Sequence, residues 1–153
     1  MNIEIERKFL VDTLPNHCSD KFHIKQYYIS IDTKFVQRLR FFNHKKAIMS
    51  LKQNCSGLSR YEFEYEIPLK DAEKIVSIAN ACFIEKVRHI IYFESIKWEV
   101  DEFLGNNKGL IIAEVELEHE TQEIKFPDWI GKEVTNQNKY YNYNLALKGY
   151  ISW

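Results

Sequence analysis

The sequence predicts an α+β, mainly β protein in which eight antiparallel strands are enough to close a barrel, with helices beside it. Three observations support this prediction. Eight segments are rich in β-branched and aromatic residues, and most of them alternate between apolar and polar positions. One long interruption has apolar residues at helical spacing. No linker or repeat divides the chain, so residues 1–153 are expected to form a single domain.

The predicted strands follow one another with short connections, which favour antiparallel pairing because tight hairpins join neighbouring antiparallel strands. They cover residues 3–11, 23–31, 34–42, 47–53, 60–67, 85–93, 96–103 and 111–119. Eight strands are sufficient to close an antiparallel sheet on itself.

Two segments have a helical pattern. In residues 68–83, apolar side chains recur at helical spacing after Pro68 and an acidic first turn, which predicts an amphipathic helix. Its apolar positions are Ala72, Ile75, Val76, Ala79 and Phe83. Residues 138–150, with the sequence NKYYNYNLALKGY, predict a second helix that Gly149 closes.

The overall composition excludes several classes of function. Lys and Arg number 21 against 22 Asp and Glu, so a net charge of −1 gives no reason to expect nucleic acid or an anionic membrane as partner. Cys18, Cys55 and Cys82 are odd in number and far apart, which favours a reducing cytoplasm over a disulfide framework or a thiolate zinc site. The charged start and the absence of a long apolar run predict neither a signal peptide nor a membrane span.

The amino-terminal sequence EIERK places charged groups on one face of a strand. Glu4, Glu6 and Lys8 alternate with the apolar Ile3 and Ile5, so the three charged side chains share a surface. A solvated outer face is the commoner explanation of such a row. An ion-binding site is the alternative.

Similar charged rows recur on other strands, and they segregate by sign. Rows of like charge repel one another and are poorly suited to a simple solvated surface. Acidic rows occur at Glu62, Glu64 and Glu66, at Glu99 and Asp101, and at Glu114, Glu116 and Glu118; basic rows occur at Arg38 and Arg40 and at Lys86 and Arg88. A barrel closed with these faces inward would hold an anion on its basic side chains and a hard cation such as Mg²⁺ on its carboxylates.

With these residues in view, the chain resembles the CYTH superfamily, also called the triphosphate tunnel metalloenzymes. The amino-terminal Glu-x-Glu-x-Lys of that family is matched by Glu4, Glu6 and Lys8. Further matching segments follow in the order seen in short bacterial members: QRLR, LKQNCSGLSRYEFEYEI, IEKVRH, WEVDEF, LIIAEVELE and WIGKEVTNQNKYYNYNLA. The resemblance therefore covers nearly the whole chain.

The resemblance implies a closed eight-stranded antiparallel barrel with flanking helices, whose polar tunnel binds or hydrolyses triphosphate groups with a divalent metal. It assigns Mg²⁺ or Mn²⁺ to Glu4, Glu6, Glu114 and Glu116. It assigns phosphate binding to Lys8, Arg38, Arg40, Lys52, Arg60, Lys86 and Arg88. Supporting acidic positions in the tunnel are Glu62, Glu64 and Asp101. Catalysis is assigned to Lys86 and Tyr28, together with Lys8.

One departure from the family concerns the tyrosine. Relatives commonly read Arg-Gln-Gly-Tyr-Leu, whereas this chain has KQYYI, with Lys25 and Tyr27 in place of arginine and glycine. Strand parity with Gln26 aligned to the family favours Tyr28 as the tyrosine that enters the tunnel.

The expected function is hydrolysis of tripolyphosphate to pyrophosphate and phosphate. The alternatives are a class IV adenylate cyclase, a thiamine triphosphatase and a polyphosphate-binding protein without catalysis. A thiamine site would need an aromatic platform, and Trp98 and Trp129 are expected to be core residues instead. The expected partner is tripolyphosphate or another small triphosphate. The sequence leaves open whether the protein forms a homodimer.

Overall fold

The computed structural model describes residues 2–153. Its eight strands are β1 (Ile3–Leu10), β2 (Asp20–Ile31), β3 (Phe35–Phe42), β4 (Lys46–Gln53), β5 (Ser59–Ile67), β6 (Phe83–Phe93), β7 (Ile96–Phe103) and β8 (Ile111–Glu116). They close into one barrel in the order β1, β5, β4, β3, β2, β6, β7, β8, and each neighbouring pair is antiparallel. The predicted closed antiparallel barrel is confirmed.

Strand β1 closes the barrel by dividing its pairing between two neighbours. Its first half pairs with β5 from Ile3 opposite Tyr61 to Ile5 opposite Ser59. Its second half pairs with β8 from Glu6 opposite Glu116 onward. The pairing with β5 ends at Ile5, and from Lys8 to Leu10 the segment 131–134 pairs with β1 on that same side.

Gly131 allows that segment to approach β1 closely. Its amide donates a 2.8 Å hydrogen bond to the carbonyl of Leu10. A Cβ at this position would lie only 2.7 Å from the same carbonyl oxygen, so a larger residue would push the segment away. The Val134 amide also donates to the carbonyl of Lys8, at 2.8 Å.

Helix α1 (Leu69–Ala79) lies outside the barrel. It begins after Pro68 and ends at Asn80, which adopts a left-handed conformation, so it is shorter than the predicted 68–83. The fully buried Ala72 packs on the outer face of β3 and β4 with Leu39, Phe41 and Ala47. Of the predicted apolar stripe, these contacts bury Ala72 and, in part, Ile75 and Val76, whereas Ala79 is exposed and Phe83 belongs to β6.

The carboxyl-terminal region forms short helical segments where one helix is predicted over 138–150. A 3₁₀ turn covers Asn138–Tyr140, helix α2 covers Asn142–Lys148, and a second 3₁₀ turn covers Tyr150–Ser152. Leu145 of α2 packs against Ile84, Phe103 and Ile112. These three residues are in phase with the interior side chains of their strands, so α2 covers one end of the barrel.

The largest apolar cluster lies on the outside of β1, β7 and β8. Trp98 is fully buried there, and Trp129 packs at its edge, as expected for core residues. Leu117 and Ile124, from the chain after β8, belong to the same cluster. Because this core lies outside the sheet, most of the barrel interior is left to polar and charged side chains. Within residues 2–153, the helices are too short and too polar to span a lipid bilayer.

Candidate active site

The barrel interior is a cavity of about 720 Å³ lined by side chains from all eight strands. The alternation of each strand determines which residues face it, because every second side chain points inward. The predicted site residues that line it are Glu4, Glu6, Lys8, Arg38, Arg40, Lys52, Glu62, Glu64, Lys86, Arg88, Glu114 and Glu116. The closed barrel therefore brings together charged rows that are far apart in sequence.

Three predicted residues lie at the margins of this cavity. Tyr28 and Arg60 line a smaller adjoining cavity of about 60 Å³, which shares Lys8 and Lys52 with the large one. Asp101 is fully buried in the barrel wall, behind the side chains of β6. The sequence prediction thus names residues that occupy one connected interior.

Two lysines and three carboxylates form a network between β1, β4 and β8. Lys8 Nζ lies 2.7 Å from Glu114 Oε1 and 3.4 Å from Glu6 Oε1. Lys52 Nζ lies 2.7 Å from Glu4 Oε2 and 3.4 Å from the same Glu6 oxygen. Burial alone would lower the pKa of Lys8, but the carboxylates of Glu114 and Glu6 outweigh it and raise this pKa above the ordinary lysine value. Lys8 is therefore protonated at neutral pH.

The two arginines of β3 are held by the acidic row of β5. Arg38 Nε donates a 2.7 Å hydrogen bond to Ser50 Oγ, and its terminal nitrogen contacts Glu62. Arg40 contacts Glu64 in the same way. Burial, together with the charge of Arg38, lowers the pKa of Arg40 to about 10, so both guanidinium groups stay charged at neutral pH.

Lys86, Asp101 and Arg88 form a buried triad between β6 and β7. Lys86 Nζ donates to Asp101 Oδ2 at 2.6 Å, while Arg88 donates to both oxygens of Asp101, at 2.7 and 2.8 Å. Burial lowers the pKa of Lys86 to about 8, because Asp101 offsets only part of the desolvation and the Arg88 charge opposes protonation. This amine can exchange a proton near neutral pH.

Tyr28 and Tyr27 face opposite sides of the barrel wall. Tyr28 is buried on the interior, where its hydroxyl accepts a hydrogen bond from the amide of Gln26. Burial raises the pKa of Tyr28 to about 12, so the phenol is protonated at neutral pH. Tyr27 packs outside against Phe41 and Phe83.

The acidic side of the cavity suits a hard cation. Glu116 lies directly opposite Glu6 on paired strands. Burial, followed by the charges of Glu4, Glu99 and Glu6, raises its pKa above the ordinary glutamate value. A divalent cation bound by carboxylate oxygens would relieve this repulsion.

The site is nevertheless not a finished metal centre. Within residues 2–153, no three acidic, histidine or cysteine side chains converge closely enough to hold one ion. Lys8 and Lys52 neutralise Glu4, Glu6 and Glu114 instead. The donor set fits Mg²⁺ or Mn²⁺ in its chemistry, and the lysines would have to release carboxylate oxygens to a bound ion.

The structure adds interior residues that the sequence prediction did not include in the site. Glu99 lines the cavity and contacts Arg88. Gln26 and Ser50 are fully buried, and each bonds a predicted site residue. Strand parity was the signal that could have identified them, since they are in phase with Asp101, Tyr28 and Lys52.

We expect Mg²⁺ to raise the melting temperature more at about pH 7.5 than at about pH 5. Because folding raises the pKa of Glu116, its ionised carboxylate opposes folding above that pKa, and the opposition disappears as the pH falls. A bound cation relieves this destabilisation only at a pH at which the Glu116 carboxylate is ionised. Differential scanning fluorimetry at both pH values measures the effect, with Glu116→Gln as the control that should lose the difference. Equal gains for the wild type at both pH values would contradict it.

The fold and the site together define a class of protein, the closed antiparallel barrels whose interior is a charged tunnel in place of an apolar core. The CYTH domain family matches residues 2–150. The chain belongs to this family, which confirms the resemblance seen in the sequence.

Similar proteins cover the whole chain. It is 43% identical over 153 residues to an inorganic triphosphatase of Acetivibrio thermocellus, an alignment that covers 98% of this chain and 97% of the relative. It is 33% identical over 147 residues to an inorganic triphosphatase of Nitrosomonas europaea, covering 94% of this chain and 97% of the relative. A crystal structure of an inorganic triphosphatase superimposes with a TM-score of 0.69 at 32% identity, covering 94% of both chains.

Proposed function

We propose that this protein is a divalent-metal-dependent inorganic triphosphatase that hydrolyses tripolyphosphate to pyrophosphate and phosphate inside the barrel. The observation that carries the proposal is a set of buried cations from three strands that faces one charged cavity: Lys8 of β1, Arg38 and Arg40 of β3, and Lys86 and Arg88 of β6. The inorganic triphosphatases at 43% and 33% identity support the same activity.

The cations would bind the phosphate groups. Arg38 and Arg40 can each present a planar pair of donors to phosphate oxygens, and Lys52 and Arg88 add charge on facing strands. Arg60 would contribute from the smaller adjoining cavity. Glu62, Glu64 and Asp101 hold these cations in place before substrate arrives, which reduces the reorganisation needed on binding.

The carboxylates would hold the metal. Glu4, Glu6, Glu114 and Glu116 offer hard oxygen donors beside the cavity, where they would bind Mg²⁺ or Mn²⁺. When bound, such an ion polarises phosphate oxygens and neutralises part of their charge.

The reacting groups would be Lys86, Tyr28 and Lys8. Water attacks the terminal phosphorus, the bond from that phosphorus to its bridging oxygen breaks, and pyrophosphate leaves with the electron pair. With a pKa of about 8, Lys86 is suited to accept the proton of the attacking water. Lys8 stays charged and can neutralise the developing negative charge, while the protonated Tyr28, whose hydroxyl is hydrogen-bonded to the Gln26 side chain, lines the smaller adjoining cavity beside Lys8.

A nucleoside triphosphate is a second candidate substrate, because one wall of the cavity is apolar. Phe22, Phe42 and Ile48 line it, and the two phenyl rings lie 5.8 Å apart between centroids. An aromatic wall of this kind can support a nucleobase by stacking. Trp98 lies on the other side of the sheet and is not part of this wall.

The purified protein is expected to release phosphate from tripolyphosphate only when Mg²⁺ or Mn²⁺ is present, because the carboxylates need a cation to accept a strongly anionic substrate. A phosphate-release assay with tripolyphosphate, ATP and thiamine triphosphate, with each metal and with EDTA, measures this. Cyclic AMP formation from ATP would identify a cyclase instead. Turnover of tripolyphosphate in EDTA, or binding without turnover under all conditions, would contradict the proposal.

A further inference from the structure

Gln26 of β2 is a buried polar side chain to which the mechanism above gives no role. It is 0% exposed and lines the main cavity. Its Nε2 donates to the hydroxyl of Tyr28, but its Oε1 has no hydrogen-bond partner within residues 2–153. Buried polar atoms of native proteins are nearly always bonded, so an unpaired amide oxygen at a cavity wall points to a missing partner.

Arg40 has a matching unpaired atom directly across the strand pair. Gln26 and Arg40 are register partners on β2 and β3, and both side chains face the interior. The terminal nitrogen of Arg40 contacts Glu64, whereas its buried Nε has no acceptor within the described chain. Side chains opposite one another on antiparallel strands have Cβ atoms about 4.5–5.5 Å apart, so a single small group can reach both.

Gln26 Oε1 is an acceptor and Arg40 Nε is a donor, so the two atoms as placed do not bind the same ligand oxygen. A rotation of the Gln26 amide places two donors there instead. A half-turn about its last side-chain bond exchanges NH₂ and oxygen at nearly unchanged shape. The Tyr28 hydroxyl then donates to Gln26 Oε1, and the NH₂ group turns toward the cavity. Gln26 Nε2 and Arg40 Nε become two donors on one wall, an arrangement that accepts an oxyanion and disfavours a cation.

We propose that Gln26 and Arg40 form a phosphate-oxygen subsite, in which one substrate oxygen accepts hydrogen bonds from Gln26 Nε2 and Arg40 Nε. This inference rests on the proposed function and extends it by adding a neutral donor to the cationic wall. Because the rotated amide also accepts the Tyr28 proton, substrate binding fixes the direction in which that hydroxyl points. Gln26 is thus a substrate-binding residue that also positions Tyr28.

Two substitutions at this position test the subsite. Gln26→Glu keeps the size and the acceptor but replaces the donor by a negative charge, and Gln26→Met keeps the length without a donor. We expect Gln26→Glu to raise the KM for tripolyphosphate and the Kd for metal-free tripolyphosphate at least about tenfold, and Gln26→Met to raise both by less. Gln37→Glu is the matched control, because Gln37 lies on β3 with its amide on Met49 and outside the cavity lining.

A measurement on the wild type keeps the test decisive if the variants fail to fold. The side-chain NH₂ resonances of Gln26 in ¹⁵N-labelled protein should shift when tripolyphosphate is added in EDTA, where no turnover occurs. Unchanged KM and Kd in folded variants, or unmoved Gln26 resonances while other tunnel resonances shift, would overturn the subsite alone. A wild type that neither binds nor hydrolyses tripolyphosphate would overturn the proposed function instead, so the two failures are distinguishable.

Discussion

Replacement of Lys86 by methionine is expected to lower kcat for tripolyphosphate by about three orders of magnitude. A positioned general base contributes about 10²–10⁴-fold to a rate, and Lys86 is the amine whose pKa burial lowers to about 8. The fold should survive, because Asp101 keeps both of its hydrogen bonds from Arg88. Phosphate release under saturating substrate and metal measures kcat, and circular dichroism verifies folding.

The pH dependence separates proton transfer from simple charge at this position. A base must lose its proton to act, so kcat/KM of the wild type should rise as the pH increases through about 8, the pKa of Lys86 in the free protein. Lys86→Arg keeps the charge but cannot lose it, so its low activity should not show this rise. Any inflection that remains in the pH profile of Lys86→Arg arises from ionisation of the substrate or of metal-bound groups. Full activity of Lys86→Arg would show that charge alone is needed.

Replacement of Arg38 by alanine should give the second large effect, chiefly as a higher KM. Its guanidinium is buried, fixed by Ser50 and Glu62, and turned into the cavity. Loss of one partner of a buried charge pair costs about 2–5 kcal/mol, which lowers kcat/KM by at least about thirtyfold. Steady-state kinetics with tripolyphosphate and titration calorimetry of the metal-free anion give the two values.

Ser50→Ala provides the matched control for Arg38. It removes the 2.7 Å bond that orients Arg38 Nε and leaves the charge in place. We expect only a several-fold change in KM, in line with one neutral hydrogen bond of about 0.5–1.5 kcal/mol. If Arg38→Ala leaves both KM and kcat unchanged, the guanidinium does not touch substrate.

Much of the fold could be predicted because most strand positions follow a period of two; β2 departs from it only between Tyr28 and Ser30. Glu4, Glu6 and Lys8 alternate with apolar residues, and this parity determines which side chains share a surface in any antiparallel sheet. The like-charged rows of β5 and β8 indicated an interior, because repulsion of this kind is costly at a surface without function. The family resemblance then indicated that the charged face of the sheet points into the barrel.

The remaining features depend on contacts that no local pattern encodes. Lys52 pairs with Glu4 of β1 and not with Glu62, its register partner on the neighbouring β5. Residues 118–130 have no helical or strand period, although Ile124, Trp129 and Ile130 pack on the outer core. The carboxyl-terminal helix is broken at Tyr141, where the backbone is extended, a detail set by packing on the barrel end.

The divided pairing of β1 has a consequence for the order in which the protein can fold during synthesis. Residues 3–10 leave the ribosome before their partners, and most of those partners lie in Ile111–Glu116 and in the segment 131–134. Hairpins from β2 to β5 and from β6 to β8 can form as they emerge, because their pairings are local. Strand β1 cannot complete its pairing until β8 and the segment 131–134 have been synthesised. Its carboxylates therefore stay in water until the barrel closes. Translation that stalls before residue 111 would therefore leave an open sheet with two unpaired edges, which is the aggregation-prone form of this protein.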